Sequence, residues 1–309
     1  MPHPKNSDQS RSRAALVAAG TTVVLWASAF VAIRAAGEHF SPGSLALGRL
    51  AVACLALLPI VLLTRRGRPP RAAWPGILWS GVLWFGVYMV ALNQGEQEVD
   101  AGTAALVVNL GPVLIALLSA RLLGEGLPRP LVAGTLVAFC GAAVIGLSTA
   151  EHEGSSALGV LLCLVAAVGY AIGVVAQKPA LRHTDALQVT AYACLVGTLC
   201  CLPFIGTLAS EVAVAPWRAT ATVVYLGLFP TALAFTTWAF ALSRMPAGRL
   251  GATTYLVPTL VVAMSWALLG ETPVPGALVG GALCLVGVAV SRRGQGTVAA
   301  PGTARSRPR

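Results

Sequence analysis

Long uncharged, apolar stretches alternate with short charged ones along this chain. Cutting the 309-residue sequence at its charged residues leaves ten such stretches. They cover residues 14–33, 50–64, 72–95, 101–120, 130–150, 155–177, 186–210, 219–243, 250–270 and 272–291. Most reach the roughly 20 residues that a helix needs to cross about 30 Å of hydrocarbon, and the second does so when extended back to Ser41. Because they are continuously apolar, without an alternation of period two, they predict transmembrane helices instead of barrel strands.

The composition supports the same conclusion. Hydrophobic residues make up 56% of the chain and charged residues only 10%, too few to coat a soluble protein of this size. The net charge of +10 does not indicate nucleic-acid binding, because the arginines form short clusters between apolar stretches and no continuous basic face. We therefore expect an all-α integral membrane protein whose partner is the lipid bilayer and not a nucleic acid.

The charged residues also predict an orientation. With the N-terminus inside, 18 of the 21 basic residues fall in cytoplasmic segments and eight of the eleven acidic residues on the opposite side. Ten helices with both termini in the cytoplasm follow, and residues 1–13 and 292–309 are expected to be cytoplasmic tails, disordered for most of their length. The alternative for the first stretch, a signal peptide cleaved after Ala27-Ser28-Ala29, fits less well because the stretch is long and no secreted domain follows.

An internal repeat divides the chain. Sliding residues 101–144 by 146 positions without gaps matches 14 of 44 residues, including Pro112 with Pro258 and the string LLGE at 122–125 and 268–271. The sequence therefore predicts two five-helix halves, residues 14–150 and 151–291. Because five is odd, the second half enters the membrane from the other side, so the repeats are inverted. Inverted repeats around a central site are a recurrent architecture of secondary transporters.

These residues also carry a family resemblance. The chain resembles an EamA-type member of the drug/metabolite transporter superfamily from about residue 14 to 291. The motifs are Trp26 to Phe30 followed by Arg34, Arg49 in the second helix, and each proline with its LLGE. The resemblance implies a ten-helix carrier with a central cavity, often an exporter of amino acids, metabolites or drugs across the bacterial inner membrane. This sequence has Ala27 and Ala29 where Gly and Asn are common in the family.

Paired helix breaks point to a transport site. Pro112 and Pro258 lie inside the fourth and ninth stretches, where each removes a backbone donor and frees a carbonyl that needs a partner. Interruptions at matching positions of two halves are the best sequence indication of a carrier site. Asn109, Thr254 and Tyr255 lie next to the breaks and are predicted substrate contacts. A packing kink without a binding role is the open alternative.

Aromatic residues suggest cavity walls near the bilayer midplane. Trp26 and Tyr170 are equivalent in a second alignment of the halves, and each lies about twelve residues into its helix. Trp and Tyr normally gather at the membrane interfaces, so central ones are informative. Trp84 and Tyr88, one helical turn apart, extend the predicted wall, and we include Tyr88 among the substrate contacts. Interhelical packing is the alternative for all of these rings.

Charges inside the membrane are few. Arg49 is the costliest, and it either meets an anionic group of the substrate or makes structural hydrogen bonds to the protein. No Asp, Glu or His lies deep in any stretch. Proton coupling would therefore use Glu96, Glu98 or Asp100 at the outer mouth, and transport without ion coupling is equally open.

The remaining chemistry is that of a carrier without cofactors. All seven cysteines lie in apolar stretches without a Cys-x-x-Cys pair, and the histidines lie in tails or loops, so we expect no metal site. There is no nucleotide-binding motif. We predict a secondary transporter that moves a small organic metabolite or drug outward by alternating access, as a monomer or homodimer. An importer or exchanger, a membrane-embedded enzyme and a scaffold are the alternatives.

Overall fold

Helices account for all the regular secondary structure in the residues that the computed structural model describes, 4–64, 66–98, 107–149, 156–269 and 274–293. An all-helical chain keeps its backbone hydrogen bonds within each segment, as lipid requires. The α-helices are α1 (Pro4–Gly37), α2 (Pro42–Leu63), α3 (Trp74–Ser80), α4 (Tyr88–Glu98), α5 (Leu110–Leu122), α6 (Arg129–Thr149), α7 (Ala157–Ala180), α8 (Ala186–Cys201), α9 (Ile205–Val214), α10 (Trp217–Leu226), α11 (Ala234–Leu242), α12 (Ala247–Thr253), α13 (Leu256–Leu269) and α14 (Pro275–Ser291). Short 3₁₀ turns precede α3 and α9, and π-helical turns join α3 to α4 and α10 to α11.

Seven of the ten predicted stretches form helices that are long and apolar enough to cross a membrane. These spans are Arg13–Gly37, Pro42–Leu63, Arg71–Gly95, Arg129–Ser148, Ala157–Ala180, Ala186–Val214 and Trp217–Leu242. The other three stretches hold shorter helices in the described part of the chain. The fourth is α5, the ninth is divided into α12 and α13, and the tenth is α14, which begins only at Pro275.

The expected disorder of the N-terminal tail is wrong for residues 4–13, because α1 begins at Pro4. An apolar helix that has already formed extends with one further hydrogen bond per residue, so polar residues can continue it. Residues 294–309 lie outside the described residues, as do Asp100 and the end of the second LLGE string.

Helices α6 and α14, one from each half of the sequence, pack against each other in antiparallel directions. Gly134 lies against Gly287, and Gly141 lies against Gly280. A Cβ atom at any of these glycines would lie within 2.6 Å of a backbone atom of the partner helix. Small residues therefore allow the two backbones to cross closely, which is the usual basis of helix association in lipid.

These contacts have two-fold symmetry. Residue 287 follows residue 141 by the repeat offset of 146, and residue 280 follows residue 134 by the same offset, so exchanging the halves exchanges the two glycine contacts. Two further contacts join residues that are themselves 146 apart: the Tyr255 hydroxyl donates to the Asn109 carbonyl at 3.0 Å, and the Cys284 thiol approaches the Ala138 carbonyl at 3.4 Å. Such contacts lie on the symmetry axis between the halves.

The two π-helical turns obey the same offset. They cover Gly81–Val87 and Gly227–Leu233, so they begin and end 146 residues apart. A π turn widens a helix locally and is frequently found at functional sites. Each half therefore carries one turn of irregular helix at an equivalent position, and the first of them contributes to the aromatic cluster described next.

Candidate functional site

Five aromatic side chains from four helical segments meet in the interior. We call this set, Trp26, Trp84, Tyr170, Phe235 and Trp238, the aromatic cluster. The rings of Trp26 and Trp238 have centroids 5.0 Å apart, and Trp84 lies 4.7 Å from Phe235 and 5.3 Å from Tyr170. Trp84 and Trp238 are fully buried. The cluster joins α1, the first π turn, α7 and α11 around one point.

Glycines on neighbouring helices make room for these rings. A Cβ at Gly173 would lie 2.5 Å from the Trp84 Cβ, and one at Gly111 would lie 2.6 Å from the Tyr170 ring. Because real Cβ atoms do not approach so closely, the rings can occupy these positions only beside a residue without a side chain. The sequence thus shapes the cluster through its glycines as well as its aromatic residues.

Three polar groups of the cluster have no hydrogen-bond partner in the described part of the chain: the Tyr170 hydroxyl and the buried indole N–H groups of Trp26 and Trp238. An indole nitrogen can only donate, so each could bind only an acceptor such as a carbonyl or carboxylate oxygen. The Tyr170 hydroxyl is also buried, next to Thr254. The rings pack on one another in this structure, so a bound solute would need them to separate.

The predicted residues Trp26 and Tyr170 both belong to the cluster, where they meet through Trp84 and Trp238. Tyr88 lies at its edge, half-buried, with its ring 5.8 Å from that of Tyr170.

Sequence reasoning missed two members of the cluster, Phe235 and Trp238. Trp238 lies only five residues before the end of its apolar stretch, where a tryptophan is expected at the interface. The available signal was their spacing, since residues three apart share one face of a helix.

The helix breaks lie three residues before each proline. In the fourth apolar stretch the helix is interrupted at Asn109 and resumes as α5. In the ninth stretch α12 ends before Thr254 and Tyr255, and the helix resumes as α13. Pro112 and Pro258 are therefore both the third residue of a new helix, where a missing N–H costs little.

Tyr255 is fully buried, and its hydroxyl binds the Asn109 carbonyl, so the structure brings the two breaks together. Thr254 is buried and donates to the Gly251 carbonyl at 2.7 Å.

Arg49 lies at a different place. It is buried in α2, and its Nε donates to the Thr231 hydroxyl at 3.0 Å. Thr231 in turn donates to the Leu226 carbonyl, five residues earlier in the second π turn. Of the two roles expected for Arg49, the described contact is the structural one.

A cleft opens between α1, α10 and α13. Its volume is about 500 Å³, and its lining is mostly apolar. The Ser28 and Tyr225 hydroxyls form a 2.7 Å hydrogen bond between two of its walls, and Met264 contributes from the third. The described residues include no group of three or more His, Cys, Asp or Glu side chains placed to hold a metal ion.

Comparison with known proteins gives a consistent result. The chain matches the sequence model of the EamA-like transporter family twice, over residues 13–147 and 157–293. It is 39% identical to a "Probable terminal-alkyne amino-acid exporter" of Streptantibioticus cattleyicolor, over 88% of this chain and 91% of that protein. It is 26% identical to a "Probable amino-acid metabolite efflux pump" of Salmonella typhimurium, over 87% of this chain and 91% of that one.

A solved structure has the same fold. It is described only as the crystal structure of a protein, is 24% identical in sequence, and superposes with a TM-score of 0.74. The match covers 90% of this chain and 96% of that chain.

The apolar helices and these relatives define a multi-pass membrane transporter, and not an enzyme. The chain belongs to the EamA-like transporter family. Both the family and the transporter function agree with the sequence predictions.

Proposed function

We propose that this protein exports a small amino acid or amino-acid derivative with an apolar body across the inner membrane of a bacterium. The aromatic cluster carries the proposal, because it combines large apolar surfaces with two buried N–H donors that lack partners. Such a site suits a solute that has a carboxylate or carbonyl at one end and an apolar group at the other. The names of two relatives, both amino-acid or amino-acid metabolite exporters, support the substrate class and the direction.

The proposed architecture is ten transmembrane helices in two inverted halves, residues 14–150 and 151–291, with both termini in the cytoplasm. The antiparallel pair α6 and α14 supports the inversion, since equivalent helices of inverted halves run in opposite directions. The two family matches and the equivalent π turns support the division into halves. Alternating access follows from this symmetry, because each half can adopt the conformation of the other.

The proposed site centres on Trp26 and Tyr170, with Tyr88 and Thr254 at its edge. Asn109 and Tyr255 lie at the symmetry axis, where they connect the two broken helices. Arg49 stays outside this set as a residue that holds the second π turn.

Export by a matched pair of variants tests the proposal. Trp26→Ala removes one wall of the cluster and one unpartnered N–H, whereas Trp79→Ala removes an exposed tryptophan, 58% accessible, on α3. Metabolites in the medium of expressing cells are compared by mass spectrometry at equal protein abundance. We expect one class of amino-acid-like compounds to accumulate with the intact protein and with Trp79→Ala, and about tenfold less with Trp26→Ala.

Three results would contradict the proposal. Accumulation inside the cells would reverse the direction of transport. Equal export by Trp26→Ala would remove the cluster as the binding site. Media that do not differ from those of cells without the protein would remove the substrate class.

A further inference from the structure

One carboxylate ties three segments together at one end of the molecule. Glu125, in the loop after α5, forms a 3.0 Å ion pair with Lys178 near the end of α7. Its other oxygen accepts from the Ala247 N–H at 2.6 Å and from the Gly248 N–H at 3.5 Å. Lys178 also donates to the Met245 carbonyl. We call Glu125, Lys178 and the segment 245–248 the carboxylate lock.

The lock joins the two halves of the sequence and is shielded from solvent. The Lys178 and Glu125 side chains are only 16% and 13% exposed. A second ion pair between the halves, Arg66 with Asp185, has 39% and 42% exposure. Removing one partner of a shielded pair leaves an uncompensated charge, whereas an exposed pair contributes little, so a substitution at the lock should disturb the structure more than one at the exposed pair.

An uncompensated polar side chain lies beside the lock. Gln177 is fully buried, and neither its amide oxygen nor its amide nitrogen has a hydrogen-bond partner in the described residues. Burying an unpaired amide is unfavourable, so the packing around it is held by other contacts. Gln177 follows Tyr170 by seven residues and therefore lies on the same face of α7. It occupies the stretch between the aromatic cluster and the lock.

A cleft lies at the opposite end of the molecule. Thr222, on α10, lines the cleft between α1, α10 and α13. Met245, which belongs to the lock, comes just after the end of α11. About 20 residues of the span Trp217–Leu242, roughly 30 Å of helix, separate the two positions. The cleft at the opposite end measures about 500 Å³, and a second one of about 470 Å³, lined by Thr184, Asp185 and Ser243, lies near the lock. Neither Glu125 nor Lys178 lines either cleft, so the ion pair itself is closed and shielded.

We infer that the carboxylate lock is the cytoplasmic gate of the carrier. It is closed in this structure, and it must break to expose Gln177 and the aromatic cluster to the cytoplasm. The inference rests on the proposed alternating access, and the positive-inside rule assigns the lock to the cytoplasmic end because it lies among the basic loops. When the lock opens, the cleft at the other end closes.

Thiol accessibility tests both ends without any solute. All seven native cysteines are replaced by alanine, and a single cysteine is introduced by Gln177→Cys or by Thr222→Cys. The probe is a charged, membrane-impermeant methanethiosulfonate, added to inside-out vesicles for the first position and to right-side-out vesicles for the second. Breaking the lock with Glu125→Gln should speed the reaction at position 177 about tenfold, and it should slow the reaction at 222 in proportion to the population that leaves the lock-closed state.

Asp185→Asn is the matched control. Like Glu125, Asp185 pairs with a basic residue and accepts a backbone N–H, in this case from Gln188. Unlike Glu125, it belongs to the exposed ion pair with Arg66. Both labelling rates should stay unchanged in this variant. Lys178→Gln should reproduce the effect of Glu125→Gln, and it carries the test if the first variant does not elute as a folded protein. Restoring the charge with Glu125→Asp should recover most of the closed state.

The outcomes separate the gate from the proposed function. Unchanged labelling at position 177 would overturn the gate, even if export remains normal. Faster labelling at 177 without slower labelling at 222 would also overturn it, because the lock would then be a local contact that does not couple the two ends. The expected rate changes together with a failed export assay would retain the gate and remove the proposed substrate.

Discussion

Arg49 illustrates how a single charged residue can be accommodated inside a membrane protein. A buried guanidinium is costly unless its N–H groups are used, and here Nε donates to Thr231. Thr231 uses the same oxygen to donate to the Leu226 carbonyl, so the arginine is connected to the widened backbone of the second π turn. The sequence located this charge but could not distinguish a solute contact from a structural one.

Thr231→Val should destabilise the protein by about 1–3 kcal/mol, because it leaves the buried Arg49 Nε without this acceptor. The measurement is thermal unfolding of the purified protein in detergent. Thr222→Val is the matched control, since the Thr222 hydroxyl donates to the Arg218 carbonyl of its own helix in an exposed contact, and its effect should stay below about 0.5 kcal/mol. Equal shifts in the two variants would contradict the structural role of Arg49.

At the scale of helices, the closest packing between the two halves depends on residues without side chains. Gly287 on α14 faces Gly134 and Ala138 on α6, where the two backbones nearly touch. Because of the repeat offset of 146, the glycine contact appears twice along the pair. This interface therefore fixes how α6 and α14 cross.

Gly287→Ala should destabilise the fold by about 1–3 kcal/mol, because the new Cβ would lie 2.4 Å from the Ala138 nitrogen and 2.6 Å from the Gly134 oxygen. Gly20→Ala on α1 adds the same methyl group where nothing lies within 4 Å. Thermal unfolding of the two variants under identical conditions compares them. A Gly287→Ala protein as stable as Gly20→Ala would contradict the close crossing.

At the scale of the whole molecule, the apolar pattern predicted a helical membrane protein, and the internal repeat with its motifs predicted a transporter of this family. The helix boundaries were harder to predict from the sequence. Pro112 and Pro258 each indicate a break, but the break itself lies about three residues before the proline. The aromatic cluster was predicted only in part, since which helices meet Trp26 depends on packing that no periodicity encodes. Similarly, the loop position of Glu125 gave no sign that its carboxylate would bridge to Lys178.

The predicted orientation can be measured at the two ends of the span Ala186–Val214. Ser210 and His183 are both exposed and lie at opposite ends. With the native cysteines removed, a membrane-impermeant maleimide should label Ser210→Cys in intact cells. It should label His183→Cys only after the membrane is permeabilised, because the basic segments stay in the cytoplasm. The reverse pattern would invert the proposed topology.

The contacts on the symmetry axis have a consequence for how such a chain can evolve. In an assembly of two separate, identical half-chains, every residue on the axis would face its own copy. Joining the halves into one polypeptide removes that restriction, and here Asn109 faces Tyr255 and Ala138 faces Cys284. A tyrosine hydroxyl can then donate to the carbonyl of a residue of another type. After fusion, the two residues that meet on the symmetry axis no longer have to be of the same type, so each can acquire its own role.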